Sequence, residues 1–371
     1  MMTTRLAERT GFLLGVFSAN LSSGLAATTV PERWQATWED NLRLAGVADR
    51  AGLDFILPVA RYRGYGGETN FQGSSLDPTT LAAALLARTE QITVFSTVHT
   101  AFIPPVLAAK QLATADRIGS GRMGLNIVAG WNKPEYDMFG IDLPQGHDER
   151  YAMAQEWWDV VRRVWSEPEP FDYDGTFYQL KGVQGAPGPE FGALPVLNAG
   201  SSTQGRDFGA RNADLVFTVL NGPEDGAEVV RAVRERARSR YGREAGTLTT
   251  AHVVCRPTRR EAEEYVRHYA ETNADQAAVD TLLSLQGAHA KTFTPEQLAT
   301  FRTRFTAGHG SCPLIGSPDD VAAEIERYAA TGLRGLTLSF VNFTEELQYF
   351  VEEVLPRLEK RGVRPAAAVH R

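Results

Sequence analysis

Ile92-Thr-Val-Phe-Ser-Thr97, then a run opened by Pro104-Pro105 and reaching Arg117, then Met123-Gly-Leu-Asn-Ile-Val128: these three pieces decide how the chain is read. The outer two are short and almost continuously apolar, as strands buried on both faces are. The middle piece starts on prolines, which suit the first turn of a helix. A strand, a helix and another such strand make a parallel unit, because parallel neighbours need a crossover connection.

Outward from this unit the same alternation repeats. Phe12-Leu-Leu-Gly-Val-Phe17 reads as a strand. From about Pro31 to Ala51, Leu42, Leu44, Ala45, Val47 and Ala48 recur at helical spacing, with Gly52 as the stop. Phe55-Ile-Leu-Pro-Val59 is a second strand, ended by Pro58. Asp77-Pro78 starts a helix running to about Thr89, and Asp148 to Trp165 forms a long one. Strands follow at 194–198, 215–218, 249–255 and 335–340, with helices near 204–211, 222–238, 258–270, 318–330 and 344–358. About eight strand–helix repeats predict closure into a (β/α)8 TIM barrel. A doubly wound open sheet is the alternative, but no GxGxxG follows the first strand. Residues 1–371 read as one barrel domain, with inserts at about 166–192 and 272–316 in loops at the carboxyl ends of the strands.

Composition narrows the function classes. With 371 residues, 43% hydrophobic, the chain can bury a large core. Its net charge of −7 and lack of a basic stripe argue against nucleic acid and anionic membranes as partners. The apolar stretch Phe12 to Phe17 is too short for a signal segment or a membrane span, so a cytoplasmic protein is expected. Cys255 and Cys312 stand apart from each other and from histidines, which predicts free thiols rather than a disulfide framework or zinc site. The seven histidines show no HxH or HExxH spacing, so no metal is expected, and no GxSxG elbow appears.

Barrel enzymes work at the carboxyl ends of their strands. There the sequence offers Arg61, Arg63 and Gly64-Tyr-Gly-Gly67; then Thr97, His99 and Thr100; then Asn126, Gly130, Trp131 and Lys133-Pro-Glu-Tyr136; then Gly200-Ser-Ser-Thr-Gln-Gly205. The last is a small-residue turn opening a helix. It reads equally as a phosphate site made of backbone N–H groups and as an ordinary Ser/Thr cap. His99 reads either as a base or ligand-lining group at the mouth or as a satisfied core histidine. Trp131, Tyr136 and Phe139 read as the walls of a flat ligand or as rim packing. The residues by themselves thus reach a barrel with a phosphate-bearing ligand at its mouth, and name no cofactor.

The motifs Gly124-Leu-Asn-Ile-Val-Ala-Gly-Trp131, Lys133-Pro-Glu-Tyr136, His147-Asp-Glu-Arg-Tyr151 and Ala199-Gly-Ser-Ser202 resemble, in order, those of the bacterial luciferase-like flavin monooxygenases. Gln111 to Arg122 and Leu314-Ile-Gly-Ser-Pro318 fit the same superfamily, and the resemblance runs from about Phe12 to Leu358. Gly64 to Phe71 is similar to the pyrimidine monooxygenase branch, whereas His147 to Tyr151 and Thr344 to Leu358 are more similar to the dimethylsulfone monooxygenase branch. The 272–316 insert matches neither.

The resemblance implies a two-component monooxygenase that takes reduced FMN from a separate NAD(P)H-dependent flavin reductase. It would oxygenate a small electron-poor substrate with dioxygen through a flavin peroxide. Sulfones, pyrimidine amides and halogenated or sulfonated aromatics are all open as substrates. Carried over by motif, Ala60 and Arg61 would flank the flavin, Asn126 would hydrogen-bond near its ring, and Glu135 would sit at the ring or ribityl edge. Arg150, Tyr151 and Ser202 would hold the phosphate, helped by backbone donors of Gly200 and Ser201. Leu57, Thr97 and Asn126 would seat dioxygen, an apolar residue beside two neutral hydrogen-bonding groups. Arg63, His99 and Trp131 are candidates for orienting substrate, from position alone. A homodimer or homotetramer is expected from the family. The alternatives are a deazaflavin-dependent hydride-transfer dehydrogenase on the same barrel and a non-catalytic flavin-binding partner subunit.

Overall fold

Eight parallel strands close on themselves in the computed structural model, which describes residues 4–144, 146–285 and 295–365. In chain order the strands are β1 (Leu13–Phe17), β2 (Phe55–Leu57), β3 (Thr93–His99) and β4 (Met123–Val128), then an excursion hairpin of β5 (Phe171–Asp174) and β6 (Gln179–Val183). They continue with β7 (Val196–Asn198), β8 (Leu215–Phe217), β9 (Gly246–Cys255), β10 (Cys312–Gly316) and β11 (Gly335–Ser339). The ring runs β1-β2-β3-β4-β7-β8-β9-β11 and closes through the β11–β1 pairing. β10 pairs with the later half of β9, residues 251–255.

The helices are α1 (Trp38–Arg50), α2 (Pro78–Leu86), α3 (Pro105–Ile118), α4 (Lys133–Met138), α5 (His147–Ser166), α6 (Thr203–Asn212) and α7 (Gly226–Tyr241). Then come α8 (Arg259–Arg267), α9 (Gln276–Leu285), α10 (Pro295–Gly308), α11 (Pro318–Ala330), α12 (Phe343–Glu353) and α13 (Leu355–Lys360). α1 begins at Trp38 rather than near Pro31, because Thr37 and Asp40 form a reciprocal cap: the Thr37 hydroxyl accepts from the Asp40 N–H at 3.1 Å, and the Asp40 carboxylate accepts from the Thr37 N–H at 3.3 Å. The helix read over 344–358 divides at Val354 into α12 and α13.

Alternate strand residues face opposite ways, and the two faces are packed differently. Leu14, Val16, Val94, Leu125, Val196, Val253, Leu336 and Leu338 join the large core shared with the surrounding helices. Leu13, Phe55, Phe95, Leu197, Leu215 and Leu248 fill the barrel itself, with Leu6 packed among them. The Phe55 and Phe95 rings meet edge-on at 5.7 Å. They fit because their neighbours are glycines: a Cβ at Gly15 would overlap the Phe55 ring, and one at Gly124 would lie 2.5 Å from the Phe95 ring. The barrel is therefore solid at this level, and a ligand can enter only above it.

The 166–192 insert supplies the β5–β6 hairpin, and the 272–316 insert supplies α9, α10 and β10. α10 reaches the end of α8 through Ala307, which packs with Ala262, Tyr269 and Ala270. Ala278, Val279, Leu282, Leu283 and Phe305 form a satellite core with Ala27, Tyr65 and Phe71. Asp275 fastens it, accepting from the N–H groups of Glu68 (3.2 Å) and Thr69 (2.8 Å) and from the Thr69 hydroxyl (2.8 Å). The loop after β2 and the distant insert thus form one cover over the strand ends. No described helix is long and apolar enough to cross a membrane, and Cys255 and Cys312 are buried free thiols.

Candidate active site

A cavity of about 640 Å³ opens at the carboxyl ends of the strands, under that cover. Its size lies in the usual range for small-ligand and cofactor sites. β3 and β4 pair in register, with Thr97 beside Asn126. The Thr97 hydroxyl donates to the Pro58 carbonyl at 2.6 Å and accepts from the Asn126 amide nitrogen at 3.1 Å. This order spends the only O–H of Thr97, so Thr97 can accept from a ligand but not donate to it while the bond to Pro58 holds. Asn126 keeps its second N–H, and its buried Oδ1 has no hydrogen-bond partner among the described residues. Of the pair, Asn126 is the side chain free to engage a ligand.

One end of the cavity is the start of α6. Gly200, Ser201, Ser202 and Tyr151 all line it. Ser202 caps the helix, its hydroxyl accepting from the Gly205 N–H at 3.1 Å. The cap and the anion-site readings are therefore compatible: one orphan N–H is satisfied by Ser202, and others in the first turn remain free of intrahelical acceptors. The backbone approaches very closely here. A Cβ at Gly200 would meet the Tyr151 hydroxyl and lie 2.5 Å from the Gly205 Cα; one at Gly205 would lie 2.5 Å from the same hydroxyl. Burial pushes the Tyr151 phenol up, and the charge of Arg150 opposes the shift. Arg150 itself is buried behind the wall, with Nη1 donating to the Pro144 carbonyl at 3.2 Å, so it reaches this end through its field rather than by lining it.

The β2 loop enters the wall through Ala60 and Arg61. Glu135, at the start of α4, is fully buried and does not line the cavity. Its Oε1 accepts from Arg61 Nη1 at 2.9 Å and from the N–H groups of Tyr62 and Arg63 at 2.9 and 3.3 Å. Glu135 thus holds the loop and neutralises Arg61, whose guanidinium lies 4.9 Å from the Tyr65 ring centre and 5.7 Å from that of Trp131. Trp131 stands half-exposed at the rim. Arg63 and Leu57 lie outside the wall, Leu57 in the core filling the barrel.

His99 lines the cavity and is stacked on Phe102 at 5.0 Å, with rings nearly parallel. Burial pushes it down to about 4, against partial opposition from Glu135 and an Ala60 backbone hydrogen bond, so it is a neutral imidazole at pH 7. His252 is likewise pushed down to about 4, by burial and then by Arg304. Both folded values lie below the ordinary 6.5, so between the two the unfolded chain binds more protons. The stability they contribute is complete above about pH 6.5 and is lost as pH falls toward 4, by up to about 1.4 kcal/mol per pH unit for each ring. Urea midpoints between pH 7.5 and 5 measure this. His99→Gln is expected to remove about one proton's worth of the slope; an unchanged slope would show that His99 takes no part.

The sequence did not single out the contribution of the 272–316 insert. Phe301, Arg304, Phe305, His309 and Gly310 line the cavity, joined by Phe17, Leu21 and Leu25 from the first strand and its loop. The spacing of Phe301, Arg304 and Phe305 marks one helical face and was a usable signal. α10 can approach because Gly308 has no side chain: a Cβ there would overlap the His252 ring and lie 2.6 Å from the Ser311 hydroxyl. Among the described residues no group of three or more His, Cys, Asp or Glu could hold a metal ion.

Comparison with known proteins adds independent support. The pyrimidine monooxygenase RutA of Escherichia coli K12 is 30% identical over 372 residues, covering 98% of this chain and 96% of that protein. Among solved structures, DmoA from Hyphomicrobium sulfonivorans superposes with a TM-score of 0.86 at 22% identity, covering 96% of this chain and 90% of that one. The riboflavin lyase RcaE superposes with a TM-score of 0.85 at 24% identity, over 96% and 93%. The sequence profile of the luciferase-like monooxygenases matches residues 13–335, nearly the whole barrel. With a closed parallel barrel, a cavity at its strand ends and this match, the chain belongs to the luciferase-like monooxygenase family.

Proposed function

We propose that the protein is the oxygenating component of a two-component monooxygenase, using reduced FMN from a separate flavin reductase, with dioxygen, on a small electron-poor substrate. The observation that carries this reading is one continuous cavity joining a helix-start anion cradle to a buried amide with an open acceptor. The residues fit FMN. The first turn of α6, the Ser201 and Ser202 hydroxyls and Tyr151 suit its phosphate, with Arg150 adding positive field behind them. Asn126 suits the ring, because Oδ1 can accept from a ring N–H while its spare N–H donates.

When bound, reduced FMN supplies the electrons that activate dioxygen, and the protein supplies position and a dry environment. Asn126 offers a fixed N–H donor to charge developing on oxygen, held in aim by Thr97 and through it by Pro58. Leu57, below the wall, acts as packing that supports this end rather than as a contact. The full-length likeness to a pyrimidine monooxygenase favours a flat amide ring among the possible substrates.

The test is turnover with FMN, a flavin reductase, NADH and labelled dioxygen, screening uracil, dimethyl sulfone and aromatic sulfones and chloroarenes by mass spectrometry. Label in one product supports the reading. Tight binding of a deazaflavin, with no label anywhere, would move the protein to hydride transfer. Asn126→Leu is expected to lower label incorporation by about 100-fold or more, the usual cost of losing one such donor, while FMN binding weakens far less. Equal loss in both would mean that Asn126 only binds.

A further inference from the structure

The cavity wall carries charge of one sign. Among the described residues lining it there are two arginines and no aspartate or glutamate. Arg61 is already neutralised by Glu135 at 2.9 Å. Arg304 is not. Its Nε donates to the Ser311 carbonyl at 3.1 Å, Nη2 to the Leu220 carbonyl at 2.7 Å and Nη1 to the Asn221 amide oxygen at 3.4 Å, all neutral acceptors. These bonds fix the fork and leave two of its five N–H groups unspent. A guanidinium carries a fixed positive charge, so a partly buried cation with no carboxylate partner among the described residues lines the ligand space. Phe301 and Phe305 share its helical face, with ring centres 4.5 Å apart, and Phe305 also lines the cavity.

We propose that Arg304 is a specificity-determining residue that selects a substrate carrying an anionic group, a carboxylate or its sulfur equivalent, on a small ring packed against Phe305. The inference rests on the monooxygenase reading for the identity of the ligand as substrate, and it narrows the electron-poor class to its anionic members. Fixed, partly buried N–H donors reward a carboxylate more than a neutral amide of the same shape.

The test compares matched acids and neutral partners by calorimetry: orotate against uracil, benzoate against benzamide, and benzenesulfinate against methyl phenyl sulfone. Binding is measured to the chain alone and to the chain saturated with oxidised FMN, without reductase, so that nothing turns over. The expected result is that an acid binds about ten- to a hundredfold more tightly than its partner in at least one pair. Arg304→Gln should abolish that preference and Arg304→Lys retain part of it. Wild-type protein that prefers the neutral partner, or shows no preference, in every pair overturns the proposal without reliance on any variant. An acid preference that survives in Arg304→Gln, with folding checked by its melting curve, also overturns it. Weakened FMN binding in Arg304→Gln without an acid preference would assign the cation to the flavin instead. Failure of the monooxygenase reading would show separately, as absent FMN binding or absent label in the turnover assay.

Discussion

Glu135→Ala is expected to destabilise the fold by about 3–5 kcal/mol, the usual cost of removing one partner of a buried ion pair. Both charges are out of water, Arg61 at 7% and Glu135 at 0% side-chain exposure. Removing the carboxylate leaves the guanidinium buried without its counter-charge and takes the acceptor from the N–H groups of Tyr62 and Arg63 together. Because these three residues form the wall-bearing loop after β2, the loss should also reach the cavity, raising the dissociation constant for FMN. Urea unfolding and a flavin fluorescence titration measure the two effects. Glu135→Gln keeps one acceptor and should fall between wild type and alanine. A change below about 1 kcal/mol in the alanine variant would mean that water reaches Arg61 and that the loop is not held as described.

Gly200→Ala is the second large effect, and it separates binding from folding. The Cβ has no room: it would meet the Tyr151 hydroxyl, which can swing, and lie 2.5 Å from the Gly205 Cα, which belongs to the helix backbone and cannot. The start of α6 must shift, and with it the N–H groups proposed to hold the phosphate. A displacement of about 1 Å at such a site can cost about 100-fold. FMN affinity is therefore expected to fall by about 100-fold, with a smaller effect on riboflavin, which lacks the phosphate. If FMN and riboflavin weaken equally, the phosphate lies elsewhere in the cavity.

The barrel was legible because its signals are local. Met123 to Val128 is apolar except at Asn126 and flanked by helices, and a chain of such units closes by rules that need no long-range information. The cap in the Gly200 to Gly205 turn was legible for the same reason, since small polar residues before a helix announce a cap whatever the rest of the fold does. What escaped was direction and partnership. Glu135 was expected at the edge of a flavin; that it is a buried counter-ion behind the wall was not readable, because that depends on where the β2 loop crosses α4. Thr97 and Asn126 were readable as a polar pair. Their proton order depends on the Pro58 carbonyl, which only the loop after β2 puts within reach.

The insert shows the division most clearly. Its helices carry a periodic signal in Ala278, Val279, Leu282 and Leu283, yet the surface they cover lies some two hundred positions earlier, in the loop holding Tyr65 and Phe71. Sequence alone determined a parallel barrel and the order of its strands and helices, since each follows from periodicity or backbone chemistry within a few residues, and it pointed to the carboxyl ends of the strands, where the cavity opens. Only the tertiary structure decided that Asp275 would pin the cover, that Gly308 would let α10 descend onto His252, and that Arg304 would enter the cavity without a described carboxylate beside it. Those outcomes depend on close packing between segments distant in the chain, where side-chain volume and charge act only after folding has brought them together.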